Sequence, residues 1–108
     1  MRCKVYLARS AKRDLQNIFE YIALGDSFDN AEYVEDQIRG VIASLNEFPE
    51  RGVYPKELVE QGIREYRELF FKPYRIVYQV EPKKVMVLLI ADGRRNMAEL
   101  LQARLFGW

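Results

Sequence analysis

The chain has 108 residues, 49% of them apolar and 31% charged, a composition typical of a single folded domain over residues 1–108. Lys and Arg number 17 against 16 Asp and Glu, and a formal net charge of +1 does not by itself indicate a nucleic-acid binder. The sequence has no histidine and one cysteine, which excludes Ser-His-Asp and Cys-His catalysis, internal disulfides, and zinc sites built on Cys or His. We therefore expect neither a metal nor a cofactor.

The first half of the chain predicts a strand followed by two helices. Residues 2–7 alternate polar and apolar side chains, as a half-buried strand does. Apolar residues then recur at helical spacing, which predicts a helix over residues 11–24 with Ser10 as its N-cap. A second helix is predicted over residues 30–47, with Asp29 opening a capping box. Two amphipathic helices with a short join favour an antiparallel hairpin that packs on a sheet.

The second half of the chain predicts the sheet. Prolines and glycines make residues 48–62 an irregular connection, with one helical turn at 56–60. Strand patterns separated by short joins then predict a three-stranded antiparallel meander over residues 64–71, 74–81 and 85–91. The last of these strands is continuously apolar, so we expect it to be central, with the N-terminal strand beside it. A short C-terminal helix over 97–106 completes an α+β fold in the order β-α-α-β-β-β-α.

Charge is distributed unevenly along the chain. Residues 1–60 carry 8 basic and 11 acidic side chains, whereas residues 61–108 carry 9 basic and 5 acidic ones. Arginine suits phosphate recognition because its planar fork donates two hydrogen bonds and stays charged. Arginines of three segments could therefore converge on one surface of the sheet half, namely Arg67, Arg75, Arg94 and Arg95. Composition alone favours the other interpretation, in which these side chains are solvated and some of them pair with nearby glutamates.

Tyrosines lie beside these arginines, at positions 66, 74 and 78. Aromatic rings next to arginines can stack on nucleic-acid bases. At strand positions, however, such rings ordinarily pack against a core, and we favour the core for these three.

Two segments of the sheet half carry a resemblance to a known family. The stretch from Tyr66 to Val80, and the strand that ends in Gly93-Arg94-Arg95, strongly resemble the signature segments of the RelE/ParE superfamily of type II toxins. The first predicted helix and residues 48–52 are also similar to that superfamily, so the resemblance covers nearly the whole chain. It implies the superfamily's fold and a toxin that a cognate antitoxin neutralises.

The RelE-like branch of this superfamily cleaves mRNA on the ribosome without a metal, using strand lysines, two arginines and a late Tyr or His. Arg75 and Arg95 match the two arginine positions, and Arg67 falls at the first lysine position. The second lysine position is Leu69, and the late Tyr or His position is Leu101. Arginine is a poor proton shuttle because its pKa stays above about 12. We therefore expect no catalytic residues, and a ribonuclease with the reduced set Arg67, Arg75 and Arg95 is the alternative.

The ParE-like branch binds DNA gyrase, lacks the nuclease residues and often carries a basic or aromatic tail. This chain ends in Arg104-Leu105-Phe106-Gly107-Trp108. The resemblance is therefore closer to ParE, and it implies a gyrase-inhibiting toxin of a plasmid stabilisation system. Its expected target-binding residues are Arg67, Arg75, Arg94, Arg95, Arg104 and Trp108. Trp108 is equally compatible with an exposed contact and with a ring folded back onto the core.

The partners that the resemblance implies are an antitoxin, laid along the hairpin groove and sheet, and DNA gyrase, with the ribosome and mRNA as the alternative target. Operator DNA is expected only through the antitoxin, and a homodimer or a toxin-antitoxin heterotetramer is compatible with the sequence. A non-toxic binding module is a third possibility. No signal peptide is readable, and the longest apolar run, 85–91, is far shorter than the roughly 20 residues that span a bilayer. We therefore expect a cytoplasmic protein with no membrane partner.

Overall fold

The computed structural model describes residues 3–107, and its elements follow the predicted order. A one-turn 3₁₀ segment, Ser44–Asn46, follows the second helix. The helices and strands are β1 Lys4–Leu7, α1 Arg9–Gly25, α2 Phe28–Ala43, α3 Lys56–Val59, β2 Arg67–Phe71, β3 Tyr74–Val80, β4 Lys84–Asp92 and α4 Met97–Phe106. The fold is α+β, as the sequence predicts. None of the helices within residues 3–107 combines the length and the apolar character needed to cross a membrane.

The four strands form one mixed sheet in the order β1-β4-β3-β2. Strands β2, β3 and β4 are the predicted antiparallel meander, and β1 pairs in parallel with β4, where Val5 lies opposite Val85. Strand β4 is therefore an inner strand, which confirms the position that its continuous apolar run predicts. Beyond β2, Val53 forms an antiparallel bridge with Glu68 and covers part of that edge.

Helices pack on both faces of the sheet, because successive strand side chains point to opposite faces and each face carries an apolar cluster. The α1–α2 hairpin packs on one face, where Leu15, Ile38 and Tyr78 belong to one buried apolar cluster. The short helices α3 and α4 pack on the other face and bury Leu58 and Leu101 against it. Tyr78 has no exposed surface, which confirms its predicted place in the core.

The helix starts differ from the sequence-based expectation. Helix α1 begins at Arg9 after Ala8, so Ser10 is not its N-cap and already lies in the first turn. Helix α2 begins two residues early because the Ser27 hydroxyl accepts a hydrogen bond from the Asn30 backbone N–H at 3.0 Å. That bond makes Ser27 the N-cap, and the predicted capping box at Asp29 is wrong. The helix also ends at Ala43, before the 3₁₀ turn.

Strand β2 is shorter than predicted and begins at Arg67 rather than at residue 64. The Arg64 backbone N–H donates to the Glu65 carboxylate at 3.0 Å, a local bond that competes with strand pairing. The helical turn predicted at 56–60 is confirmed as α3. These differences shift boundaries and leave the layer order unchanged.

Candidate functional site

Arg75 lies at the centre of a buried cluster of charged side chains between the sheet and α3. Its Nη1 and Nη2 atoms donate to both carboxylate oxygens of Glu57, at 2.9 and 2.8 Å, and its Nε atom donates to Glu68 at 2.7 Å. Arg75 is 9% exposed and Glu68 is 4% exposed. All three guanidinium nitrogens therefore donate to carboxylates of the chain itself, in the bidentate geometry that the planar fork favours.

The cluster carries one positive and two negative charges when both carboxylates are ionised. The hydrogen bonds from Arg75 hold the pKa of Glu57 below its usual value, whereas burial raises the pKa of Glu68. The same Glu57 carboxylate raises the pKa of Arg75, which stays charged. A phosphate approaching Arg75 would meet two carboxylates already in place, so this arrangement disfavours anion binding.

Arg67 is held by the loop that precedes α3. Its Nη1 atom donates to the Gly52 carbonyl at 2.9 Å, its Nη2 atom donates to the Tyr54 hydroxyl at 3.1 Å, and its guanidinium carbon lies 4.5 Å from the centre of the Tyr54 ring. The Tyr78 hydroxyl accepts a hydrogen bond from the Gly52 N–H at 2.9 Å, which ties the same loop to the core. Arg67 therefore fastens a loop at the β2 edge of the sheet.

The predicted convergence of the arginines on one surface is wrong for Arg67 and Arg75. Arg67 precedes Glu68 on β2, and neighbouring strand residues point to opposite faces. Since Arg75 pairs with Glu68, it shares that residue's face, beneath α3, and Arg67 lies on the other. Spacing along the sequence does not predict that Arg67 and Arg75 lie on opposite faces, because the pairing register of the two strands determines which of their residues share a face.

Arg104 is engaged at the opposite edge of the sheet. It makes a two-point ion pair with Asp14 of α1, at 2.7 and 3.0 Å, and its Nη1 atom also donates to the Leu88 carbonyl at 2.9 Å. A shift of register between β3 and β4 leaves Leu88 without an opposite residue on β3. The Ile90 backbone N–H donates to the same Asp14 carboxylate that pairs with Arg104. Arg104 thus joins α4 to α1 across the part of β4 that lies beyond β1.

Arg94 and Arg95 lie on the surface, in the turn between β4 and α4. The Arg94 side chain is 79% exposed and pairs with Asp92, at 2.9 and 2.6 Å, which lowers the pKa of that carboxyl. Both arginines line a groove of about 440 Å³ between α1 and the end of β4. Tyr21 and Tyr74 line the same groove, and burial raises the pKa of Tyr74.

The tip of the helical hairpin presents apolar side chains that sequence reasoning did not single out as functional. Tyr21 is 80% exposed, Leu24 90% and Phe28 58%, and Phe28 makes an edge-to-face contact with Phe19 at 5.5 Å. The signal was available in the sequence, because Tyr21 and Leu24 lie outside the apolar stripe that packs α1 on the sheet. Large apolar side chains this exposed mark an interaction surface when they cluster.

Trp108 lies outside the described residues, so its predicted part in target binding stays a prediction. Within residues 3–107, no three Cys, Asp or Glu side chains gather where they would hold a metal ion. Arg94 and Arg95 thus lie on the surface, whereas Arg67, Arg75 and Arg104 make hydrogen bonds that join separate elements of the chain.

Comparison with known proteins points to one family. The family described as the ParE toxin of the type II toxin-antitoxin system parDE matches residues 5–97. Toxin ParE3 of Caulobacter vibrioides is 28% identical over 98 residues, which cover 91% of this chain and 94% of that protein.

Three solved structures share the fold at low sequence identity. The chromosomal ParDE toxin-antitoxin system of P. aeruginosa matches with a TM-score of 0.70 and 17% identity, over 84% of this chain and 96% of that one. A mutant of the E. coli toxin RelE in the free state matches with a TM-score of 0.63 and 16% identity, over 93% of each chain. The toxin-antitoxin complex RelBE2 of Mycobacterium tuberculosis matches with a TM-score of 0.56 and 17% identity, over 85% of this chain and 92% of that one.

Proposed function

Because this chain belongs to the ParE toxin family of type II toxin-antitoxin systems, we propose that it inhibits DNA gyrase and is neutralised by a cognate antitoxin. It acts in the cytoplasm, in a system of the plasmid stabilisation type. The observation that carries the choice of gyrase over mRNA cleavage is the buried cluster of Arg75, Glu57 and Glu68.

That cluster argues against phosphate chemistry at Arg75. Two carboxylates within 2.9 Å of one guanidinium leave it no unpaired positive charge to offer an RNA phosphate. The positions that would move protons are Leu69 and Leu101, which are 6% and 0% exposed and carry no titratable group. Arg95 alone of the matched arginines is both exposed and outside these ion pairs.

The target-binding surface that we propose is the groove lined by Arg94, Arg95, Tyr21 and Tyr74. Tyrosine and arginine are the residue types that contribute most to protein interfaces, since they combine a large apolar area with hydrogen-bond donors. The exposed Leu24 at the tip of the hairpin extends this surface. Arg67, Arg75 and Arg104 support the scaffold beneath it rather than contact the target.

The antitoxin, in our proposal, docks along the hairpin and the adjoining edge of the sheet. Strand β1 is an end strand, and a groove of about 490 Å³ lies between it and the last turns of α2. Val5, Leu7 and Ile42 give the groove an apolar floor, and Arg39 and Asn46 add polar rims. An amphipathic segment suits such a groove, because its apolar side chains fill the floor.

The test is inhibition of DNA supercoiling by purified gyrase in the presence of the purified chain. We expect inhibition by the unmodified chain, and at least about a tenfold loss in the double variant Arg94→Ala/Arg95→Ala, since each lost contact residue weakens binding. The matched control is Arg9→Ala/Arg13→Ala, which removes the same charge from exposed positions of α1. Gyrase that supercoils DNA normally at saturating toxin would refute the proposal.

Two further assays separate the alternatives. Cleavage of mRNA in a translation extract, abolished by Arg95→Ala, would assign the chain to the ribonuclease branch. Expression in a bacterium that lacks the antitoxin tests for a non-toxic binding module, which would leave growth normal.

A further inference from the structure

One half of the face on which α3 and α4 pack carries neither helix. Lys4 and Tyr6 of β1 lie opposite Lys84 and Met86 of β4 in the parallel register, so the four side chains form two adjacent rows on one face. Tyr6 is 44% exposed, and neither apolar cluster described within residues 3–107 includes it or Met86. With Lys83 of the neighbouring turn, these residues form a surface that we term the lysine face.

The lysine face places like charges side by side. Lys4 and Lys84 are register partners, and like charges at such positions destabilise a sheet. Among residues 3–107, the ion pair at this face joins the Glu81 carboxylate to the Lys84 ammonium at 3.9 Å, and their side chains are 37% and 45% exposed. Lys4 and Lys83 form no ion pair with any described residue. Adjacent lysines on an exposed sheet face are expected where a binding partner supplies the negative charge that neutralises them.

We propose that the lysine face docks an acidic amphipathic helix of a partner protein. The two rows lie two residues apart along the strands, a distance of about 7 Å. Residues four apart on a helix rise about 6 Å along its axis. A helix laid along β1 and β4 therefore places a carboxylate on Lys4 and Lys84 and an apolar side chain, one turn on, over Tyr6 and Met86.

The surroundings favour a polypeptide over a nucleic acid. The lysines and Tyr6 of the lysine face line a groove of about 680 Å³ that Glu81 borders, and the next groove beyond Glu81 contains Glu50. A nucleic-acid backbone that crosses the face would bring its phosphates close to these carboxylates, and like charges repel. A helix carries acidic residues only at chosen positions, so it can contact the lysines without placing a negative charge beside Glu81 or Glu50. The apolar Met86 side chain also cannot form a hydrogen bond or ion pair with a phosphate, but it can pack against a leucine side chain.

This inference is independent of the proposed target. The lysine face lies at the start of β4, whereas Arg94 follows its end, and the six residues from Met86 to Asp92 rise about 20 Å along the strand. The docking helix therefore leaves the groove of Arg94 and Arg95 open.

The experiment measures fluorescence anisotropy of a labelled helical peptide, about 16 residues long or roughly four turns, with the full chain. The peptide consists of Ala with Glu and Leu repeated four residues apart on one face. We expect salt-sensitive binding that weakens at least about tenfold in Lys4→Gln/Lys84→Gln and in Tyr6→Ser. The control Lys12→Gln/Lys72→Gln removes the same charge from exposed lysines elsewhere and is expected to bind within about twofold of the unmodified chain.

The variants are monitored for folding, since a loss of structure would also abolish binding. Relief of the like-charge pair means that Lys4→Gln/Lys84→Gln unfolds at the same or a higher urea concentration than the unmodified chain. Absence of peptide binding, or equal binding by the two double variants, would overturn the proposal. Preferential binding of an oligothymidylate of similar length, lost in Lys4→Gln/Lys84→Gln, would overturn it in favour of a nucleic acid. Gyrase inhibition by that variant tests the proposed function separately.

Discussion

Replacement of Arg75 by alanine tests the interpretation that this arginine is structural. The substitution removes three hydrogen bonds and leaves Glu57 and Glu68 without their cation. The side chain of Glu68 is 5% exposed, so it cannot recover hydration where it lies, whereas that of Glu57 is 17% exposed and lies on the one-turn helix α3. The two carboxylates also repel each other once the guanidinium between them is absent.

The expected loss follows from burial. Breaking a buried ion pair by removing one partner costs about 3–5 kcal/mol, because the remaining charge is left uncompensated. Because Glu57 can move partly toward solvent, we expect Arg75→Ala to lower the free energy of unfolding by about 3 kcal/mol at pH 7, near the lower limit of that range. That is a large fraction of the roughly 5–15 kcal/mol by which such domains are stable.

The loss has a defined pH dependence. Burial already raises the pKa of Glu68 above 4.5, and the hydrogen bond from Arg75 opposes that rise. Without Arg75 the pKa of Glu68 rises further, so the carboxyl takes up a proton at higher pH in the folded variant than in the unfolded chain. The difference in stability between Arg75→Ala and the unmodified chain therefore shrinks as the pH falls toward 4.5, and it is greatest above the raised pKa.

Urea unfolding followed by circular dichroism at several pH values measures both effects. Arg94→Ala is the matched control, because it removes an arginine whose side chain is 79% exposed, and its unfolding midpoint is expected to stay unchanged. Equal midpoints for Arg75→Ala and the unmodified chain at pH 7 would show that the cluster contributes nothing to the fold. Arg75 would then be free for target or phosphate binding, and its assignment as a structural residue would be wrong.

Three further predictions concern other contacts of the fold. Gly52→Ala would place a methyl carbon 2.5 Å from the Tyr78 hydroxyl, and we expect it to lower the free energy of unfolding by about 1–3 kcal/mol, measured by thermal unfolding. The control is Gly40→Ala, whose added methyl group would meet nothing within 4 Å, and equal stability of the two variants would contradict the expectation. Arg104→Ala is expected to cost about 2 kcal/mol and to speed amide exchange in α4, and additive losses with Asp14→Ala in a double-mutant cycle would show that the pair does not interact. Glu57→Gln is expected to cost about 2 kcal/mol at pH 7. Because the pKa of Glu57 is lowered from 4.5 in the folded state, its contribution is present above that pH and is lost as the pH falls through the lowered pKa, so a pH-independent loss would contradict the assignment.

Local pattern was enough to predict the elements of this fold. Alternation over β1 and helical spacing over α1 and α2 depend on neighbours within a few positions, and the continuous apolar run of β4 predicts burial on both faces. The errors lie at the ends, where single side chains compete for backbone groups. Ser27 was available as an N-cap in the sequence, but nothing local made it a stronger candidate than Asp29.

The sequence by its composition excludes certain kinds of catalytic chemistry. The absence of histidine, with Leu69 and Leu101 at positions where a nuclease needs proton carriers, requires no fold to interpret, because those side chains cannot titrate in any conformation. The family resemblance likewise rests on motifs that are continuous in the chain.

Which arginines are exposed and which are engaged within the fold depends on the tertiary structure. Arg75 meets Glu57 across 18 residues of sequence, and Arg104 meets Asp14 across 90, so neither pairing follows from local spacing. Strand register placed Arg67 and Arg75 on opposite faces, and it brought Lys4 next to Lys84. A one-residue change of register would reverse the faces without altering any local pattern, and for that physical reason the sequence alone could count the charged side chains but could not pair them.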